Sequence, residues 1–328
     1  MHSLAPIHGG TDSLPDPAYD FSSNANALGP CPWVLAAVRR ADVSRYPDPS
    51  YTRIRDTIAQ FHGTTPDRIV VGAGASELVL RLIRRLKGAV HQLAPTFSEY
   101  SRGAHVAGRR LISSRSPGAF LRRHSKNVGV GFICWPNNPT GDLWPLEFVS
   151  EAAERAPLVV DMAYASLCGM KTNQAIESAA AGAYRLYSPN KAFGLTGVRA
   201  AYVIAPRPDQ GLASLAPSWV IGQDAVNFLE AVCESPAREW LTQGIPQLRR
   251  WRAQLARSLT QLGLEVREGP ATFLIARVID ATRIAADLRR LDVRVRDCSS
   301  FGLSEWIRAS AQSTAAQKVL ITALKRVL

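Results

Sequence analysis

Ile69-Val70-Val71-Gly72-Ala73-Gly74-Ala75-Ser76-Glu77 sets a short β-branched run directly before a glycine-spaced turn, and an amphipathic pattern follows from Ser76 to Leu86. A buried strand turning sharply into a helix is the unit from which parallel sheets are built. The alternation continues down the chain. Ala89 to Leu93 predicts a strand, Ser98 to Ala107 a helix, Val128 to Trp135 a strand and Pro145 to Glu154 a helix; Leu158-Val159-Val160, Ala183 to Tyr187 and Ala200 to Ile204 predict three further strands. Upstream, helices over Pro32 to Ala41 and Thr52 to His62 flank a turn at Tyr46-Pro47-Asp48-Pro49-Ser50-Tyr51. These elements describe an α/β fold whose mostly parallel sheet is covered on both faces, with its active site at the strand ends.

Beyond Pro217 the pattern changes. Long helical segments over Gln223 to Cys233 and Ala237 to Leu262 come first, and Gly244 and Pro246 predict a break or kink in the second. Strands over Leu264 to Arg267, Thr272 to Ala276 and Val293 to Arg296 follow, with helices over Thr282 to Leu291 and Ser313 to Val327. The expected division is an N-terminal arm at 1–30, a large domain at 31–217 and a smaller α+β domain at 218–328. The arm is rich in Pro, Gly, Ser, Asp and Asn and shows no sustained period.

A chain of 328 residues, 46% hydrophobic and 20% charged, has ample core material, which excludes wholesale disorder and collagen-like structure. No apolar run reaches the roughly 20 residues of a membrane span, and the first residues lack the basic and apolar regions of a leader, so a cytoplasmic protein is expected. Five scattered cysteines, with no Cys-x-x-Cys and no matching histidine spacing, indicate reduced thiols and no metal site. The net charge of +12 suits nucleic acid or a small anionic substrate. Its densest clusters, Arg81, Arg84, Arg85 and Lys87, then Arg249, Arg250 and Arg252, fall on amphipathic patterns and are expected to be solvated helix faces. No nucleic-acid-binding motif accompanies them.

The motifs that carry chemistry lie at predicted strand ends. Gly72 to Glu77 offers backbone N–H groups at a helix start, which suits a phosphate or merely a tight turn. Lys191, between Ser188-Pro189-Asn190 and Ala192-Phe193-Gly194, sits among apolar and glycine residues with Arg199 eight residues on. Those surroundings suit an amine with a lowered pKa that attacks a carbonyl, although most lysines are simply solvated. Asp161 ends a strand and Tyr164 follows, so the carboxylate could hold a heterocyclic nitrogen protonated or cap a turn. Asn138 in Pro136-Asn137-Asn138-Pro139-Thr140-Gly141 could offer its amide to a ring substituent or sit in an ordinary turn.

The ordered set Gly72-x-Gly74-x-Ser76-Glu77, Pro95-Thr96-Phe97, Asn138-Pro139-Thr140-Gly141, Asp161-x-x-Tyr164, Ser188-x-x-Lys191 and Gly197-x-Arg199 resembles fold-type I pyridoxal-phosphate enzymes of the aminotransferase class I/II group. It is similar in particular to histidinol-phosphate aminotransferases and to the threonine-phosphate decarboxylases of cobalamin synthesis. The resemblance runs from His8 to Arg308. It implies a large domain with a mostly parallel seven-stranded sheet, a smaller α+β domain, and pyridoxal 5'-phosphate as cofactor. Lys191 would bond to the cofactor aldehyde, Asp161 would pair with the ring nitrogen, Asn138 and Tyr164 would hold the ring hydroxyl, and Phe97 would stack on the ring. Ala75, Ser76, Ser188 and Arg199 would hold the phosphate, with Tyr46 reaching it from the second subunit of a homodimer. Arg308 matches an arginine that binds the substrate carboxylate and Arg296 one near the substrate phosphate. His8-Gly9-Gly10, with the stretch up to Asn26, resembles the decarboxylase branch and adds His8, Gly9 and Asn26 to the substrate side, beside Asn138. Ala27 departs from the proline usual after Asn26, and Pro189 lies inside the Ser-x-x-Lys turn.

The activity so implied is decarboxylation of L-threonine O-3-phosphate to (R)-1-amino-2-propanol O-2-phosphate, the phosphorylated amino acid being the partner, with neither nucleic acid nor membrane involved. The alternative is a histidinol-phosphate-type aminotransferase. Two remote alternatives are an acyl-enzyme hydrolase, because Ser188-x-x-Lys191 also fits the serine and lysine of penicillin-binding proteins, and a basic nucleic-acid-binding protein.

Overall fold

A computed structural model describes residues 9–328, and these fold around a seven-stranded sheet. From edge to edge its strands are Ile69–Gly72, Ala201–Ile204, Tyr184–Tyr187, Leu158–Asp161, Val128–Cys134, Ala89–Leu93 and Leu111–Ser114. All neighbours are parallel except at Ala201–Ile204, which runs against both of its partners. The central strands are buried along their whole length, as a sheet covered on both faces requires. One face packs Ile54, Ile58, Val149 and Phe228 from flanking helices, and the other packs Leu78, Leu82, Ile83 and Tyr100.

A second, antiparallel sheet of four strands runs in the order Arg296–Asp297, Trp306–Ser310, Phe273–Arg277 and Val266–Glu268. The helices Ser235–Gln261, Ala281–Arg290 and Thr314–Val327 supply its core through Leu255, Leu259, Ile284, Leu288, Leu320 and Leu324.

Several expectations change. The break at Gly244 and Pro246 does not occur; Ser235–Gln261 is one continuous helix. Proline forgoes one backbone bond there, while Leu241, Ile245 and Leu248 on either side are buried in the core. Val293 to Arg296 is two strands rather than one: Val293–Arg294 pairs in parallel with Tyr19–Asp20, giving the N-terminal stretch a short strand, and Arg296–Asp297 joins Trp306–Ser310. The basic clusters are not uniformly solvated. Arg81 is buried, clasping Glu77 and donating to Val71 O, and Arg249 donates to Cys168 O. Periodicity also passed over Leu111–Ser114, an edge strand whose serines bond to His91 and Gln92. It passed over Trp306–Ser310 as well, where Arg308 breaks the apolar pattern of a strand that is buried throughout.

Candidate active site

The strands Val128–Cys134, Leu158–Asp161 and Tyr184–Tyr187 end side by side, and the turns that leave them wall a cavity of about 430 Å³. Ala75, Ser76, Phe97, Asn138, Tyr164, Ser188, Lys191 and Arg199 all line it. Gly9, Arg296 and Arg308 close its other side. A smaller, largely apolar cavity of about 170 Å³ lies across the Ser188-Pro189 turn and shares only Ser188 with this set.

At one end of the main cavity the helix Ala75–Arg85 begins, presenting unpaired N–H groups and the positive end of its dipole. Gly74 has φ +94°, and a Cβ there would stand 2.2 Å from Arg199 Nη2, so the guanidinium closes directly over the turn. No carboxylate pairs with Arg199 among the described residues. An uncompensated cation above a helix start is a cradle for a phosphate.

The chain bearing Lys191 is fixed from below. Asn26 donates its backbone N–H to Lys191 O at 2.8 Å and its side-chain amide to Ala192 O at 2.8 Å, while Ser188 Oγ donates to Asn190 Oδ1. Burial pushes the Lys191 ammonium below its ordinary pKa; Arg199 and Arg308 push the same way, and Asp161 opposes them. Lys191 Nζ stands 5.5 Å from the centre of the Tyr164 ring. Asp161 lies just behind the wall, its Oδ1 accepting from Ala163 N and its Oδ2 from Tyr100 O–H at 2.7 Å. Burial raises its pKa, and these two donors hold it back. A buried carboxylate facing an amine and a phosphate cradle matches the needs of a phosphorylated aldehyde with a basic ring nitrogen.

At the opposite end two buried arginines stand together. Arg308 donates to Ser22 O at 2.7 Å and to Asn138 Oδ1. Arg296 donates to Ser300 Oγ and Asp297 O, and burial, reinforced by the charge of Arg308, brings it down to about 10.

Not every expected residue is here. Asn26 is buried beneath the lysine turn with both ends of its amide engaged, so it supports Lys191 instead of lining the cavity. Asn138 lines the cavity but points its amide oxygen at Arg308. Tyr46 is exposed outside the cavity, stacked on Trp219 with ring centres 4.4 Å apart. His8 lies outside the described residues. Two partners were passed over in the sequence: Tyr100 on Asp161, and Asn24, whose amide N–H donates to the Tyr164 hydroxyl oxygen at 3.1 Å. Tyr100, three residues after Phe97, and Asn24, inside the stretch that leads to Asn26, each stand close to a motif residue, and that proximity is the signal.

The model of the aminotransferase class I and II family matches residues 17–326. The chain belongs to this family. A histidinol-phosphate aminotransferase of Archaeoglobus fulgidus is 29% identical over 94% of this chain and 98% of its own length. Among solved structures, the histidinol-phosphate aminotransferase of Sinorhizobium meliloti, determined in complex with pyridoxal-5'-phosphate, superposes with a TM-score of 0.84 at 23% identity, covering 95% of this chain and 91% of that one. The L-threonine-O-3-phosphate decarboxylase of Porphyromonas gingivalis superposes with a TM-score of 0.82 at 21% identity, covering 93% and 98%. The fold is therefore the fold-type I architecture that the motifs implied.

Proposed function

We propose that this family member binds pyridoxal 5'-phosphate in the cavity and removes CO2 from L-threonine O-3-phosphate. The observation that carries this reading is the pair of buried arginines, Arg296 and Arg308, lining one cavity whose third arginine, Arg199, stands apart over the helix start and would serve the cofactor phosphate. A substrate that bears a carboxylate and a phosphate at once offers an anion to each. Ala75, Ser76, Ser188 and Arg199 would hold the cofactor phosphate, Asp161 its ring nitrogen, Asn138 and Tyr164 its ring hydroxyl, and Phe97 its ring face. When bound, pyridoxal phosphate supplies an aldehyde for the substrate amine and a cationic ring that accepts the electron pair of a bond broken at the α-carbon.

The chain's own residues decide which bond that is. Arg308 and Arg296, with the backbone of Gly9, orient the carboxylate and phosphate so that the bond to CO2 is the one aligned for cleavage. Asp161, which accepts from Tyr100 O–H and Ala163 N–H, would pair with the ring nitrogen as a counter-charge. Lys191, whose ammonium form gives up its proton more readily because burial lowers its pKa, would deliver that proton to the α-carbon and be left as the neutral amine. We also propose the arm, large-domain and small-domain division at 1–30, 31–217 and 218–328, a homodimer in which Tyr46 serves the other subunit's cofactor, and a cytoplasmic setting; among the described residues no helix is long and apolar enough to cross a membrane.

Amino transfer from histidinol phosphate is the second reading, and the naming of the curated relatives favours it over the first. Incubating the holoenzyme with L-threonine O-3-phosphate, without any oxo acid, decides between them. Release of CO2 with the amine phosphate supports decarboxylation. No CO2, together with oxo-acid-dependent consumption of histidinol phosphate, overturns it in favour of amino transfer.

A further inference from the structure

The stretch leading to the cavity is tied down by a residue that no motif includes. Arg294, 7% exposed, sits in the short strand Val293–Arg294 and gathers three carboxylates from the N-terminal stretch. Its Nη2 lies 3.3 Å from Asp12 Oδ1 and 3.2 Å from Asp16 Oδ1, and its Nη1 lies 3.2 Å from Asp20 Oδ2. Nη1 also donates to Gly10 O at 2.8 Å. Arg289 adds a second cation, bonded to Asp12 and to Pro15 O.

From Arg294 a chain of bonds leads to the cavity. Asp20 Oδ1 accepts from both the N–H and the Oγ of Ser22, at 2.7 Å each. Gly10 N–H donates to Ser22 Oγ at 2.8 Å, closing a ring of bonds with Arg294. Ser22 O in turn accepts from Arg308 Nη2. Gly9 packs so tightly on this carbonyl that a Cβ would lie 2.1 Å from Ser22 O. Gly9, Gly10 and Thr11 then form the cavity wall beside Arg296 and Arg308.

We propose that Arg294 is a positioning residue: it straps the stretch Gly10–Asp20 to the strand Val293–Arg294 and so sets the position of Arg308 and the Gly9–Thr11 wall toward the substrate's anionic groups. The electrostatics give the strap its direction. Three aspartates crowd one guanidinium, and without it their like charges repel, so the stretch loosens. Arg294 touches neither the cavity nor Lys191; its removal should weaken substrate binding and spare the bond-breaking step.

The proposal rests on the reading above for the substrate's anionic character, and its test separates the two. Hydrogen exchange over residues 9–16, measured by mass spectrometry on the holoenzyme without substrate, reads the strap alone. Steady-state kinetics with L-threonine O-3-phosphate, and with histidinol phosphate plus an oxo acid, read its consequence. Arg294→Met is expected to speed exchange at Gly10 and its neighbours at least tenfold and to raise KM about tenfold with kcat within threefold. Arg294→Lys, which can reach fewer of the carboxylates, should recover part of both effects. Asp16→Asn alters a mostly exposed side chain whose partner is Arg294; it should move both in the same direction by a smaller factor, and decides the matter should the methionine variant not fold. Unchanged exchange in the variants overturns the strap, and faster exchange with a fall in kcat at constant KM overturns its role in binding. If the parent enzyme turns over neither substrate the functional reading fails, and exchange still decides the strap.

Discussion

Replacing Arg308 by methionine should separate binding from folding. The guanidinium is 4% exposed; it donates to the neutral acceptors Ser22 O and Asn138 Oδ1 and lies 5.5 Å from the centre of the Phe273 ring. Keeping a charge out of water without a counter-ion costs several kcal/mol, and burial accordingly lowers its pKa. Methionine removes that cost while filling much of the same volume. Against this stand two lost charge-assisted hydrogen bonds, about 1.5–3 kcal/mol each where nothing replaces them. Both acceptors border a cavity of about 430 Å³, where water can take over. The opposing effects should leave the unfolding free energy of the substrate-free protein within about 1 kcal/mol of the parent. Binding has no such compensation. A buried guanidinium paired with a ligand anion is worth about 2–5 kcal/mol, or roughly 30- to 5,000-fold in kcat/KM at about 1.4 kcal/mol per factor of ten. Urea denaturation without substrate and kinetics with L-threonine O-3-phosphate make the two measurements. A loss of more than about 3 kcal/mol of stability with kcat/KM within threefold of the parent would show Arg308 to be structural and refute the reasoning.

Three further outcomes follow from the same geometry. Tyr100→Phe removes the O–H on Asp161 Oδ2, worth about 1.5–3 kcal/mol to the anion; it should raise the Asp161 pKa further and lower kcat about 10- to 100-fold with cofactor retained, visible as a shifted pH titration of the holoenzyme's absorption band, and an unmoved titration counts against it. Gly74→Ala puts a Cβ 2.2 Å from Arg199 Nη2 at a φ of +94°, so cofactor affinity in a fluorescence titration should drop at least tenfold; equal affinity would mean that Arg199 does not close the cradle. His91 and His124 are held at about 4 by burial, His91 also by the charge of His124, against an ordinary 6.5. The unfolded chain therefore takes up protons first. Their contribution to stability is complete above about pH 6.5 and is lost as pH falls toward 4, by at most about 1.4 kcal/mol per pH unit for each ring. His91→Gln should flatten the urea midpoint between pH 6.5 and 5, and an unchanged slope would remove the histidines from the account.

Much of the site is legible in the sequence because its groups sit where a strand ends and a turn begins. Asp161 ends its strand, and Gly74, Asn138 and Lys191 lie in the turns that leave theirs, so the strand pattern itself brings them to one end of the sheet. Arg308 was legible only through its resemblance to a family arginine, since a charge inside a buried strand contradicts the pattern that reveals strands. Asn26 was misjudged for the opposite reason. Its place in a motif is real, but the backbone it supports is that of Lys191, 165 positions away in the chain.

What the sequence determined by itself was local: the βα units, the turns between them and the residue types at strand ends, all governed by neighbours a few positions apart. The tertiary structure alone decided the pairing of Tyr100 with Asp161, the burial of Arg81, the continuity of the helix through Pro246 and the hold of Arg294 on Asp12, Asp16 and Asp20. Burial makes these choices. Whether a charge is solvated or clasped, and whether a lost backbone bond is tolerated, depends on which distant groups fold against it, and no period along the chain records that.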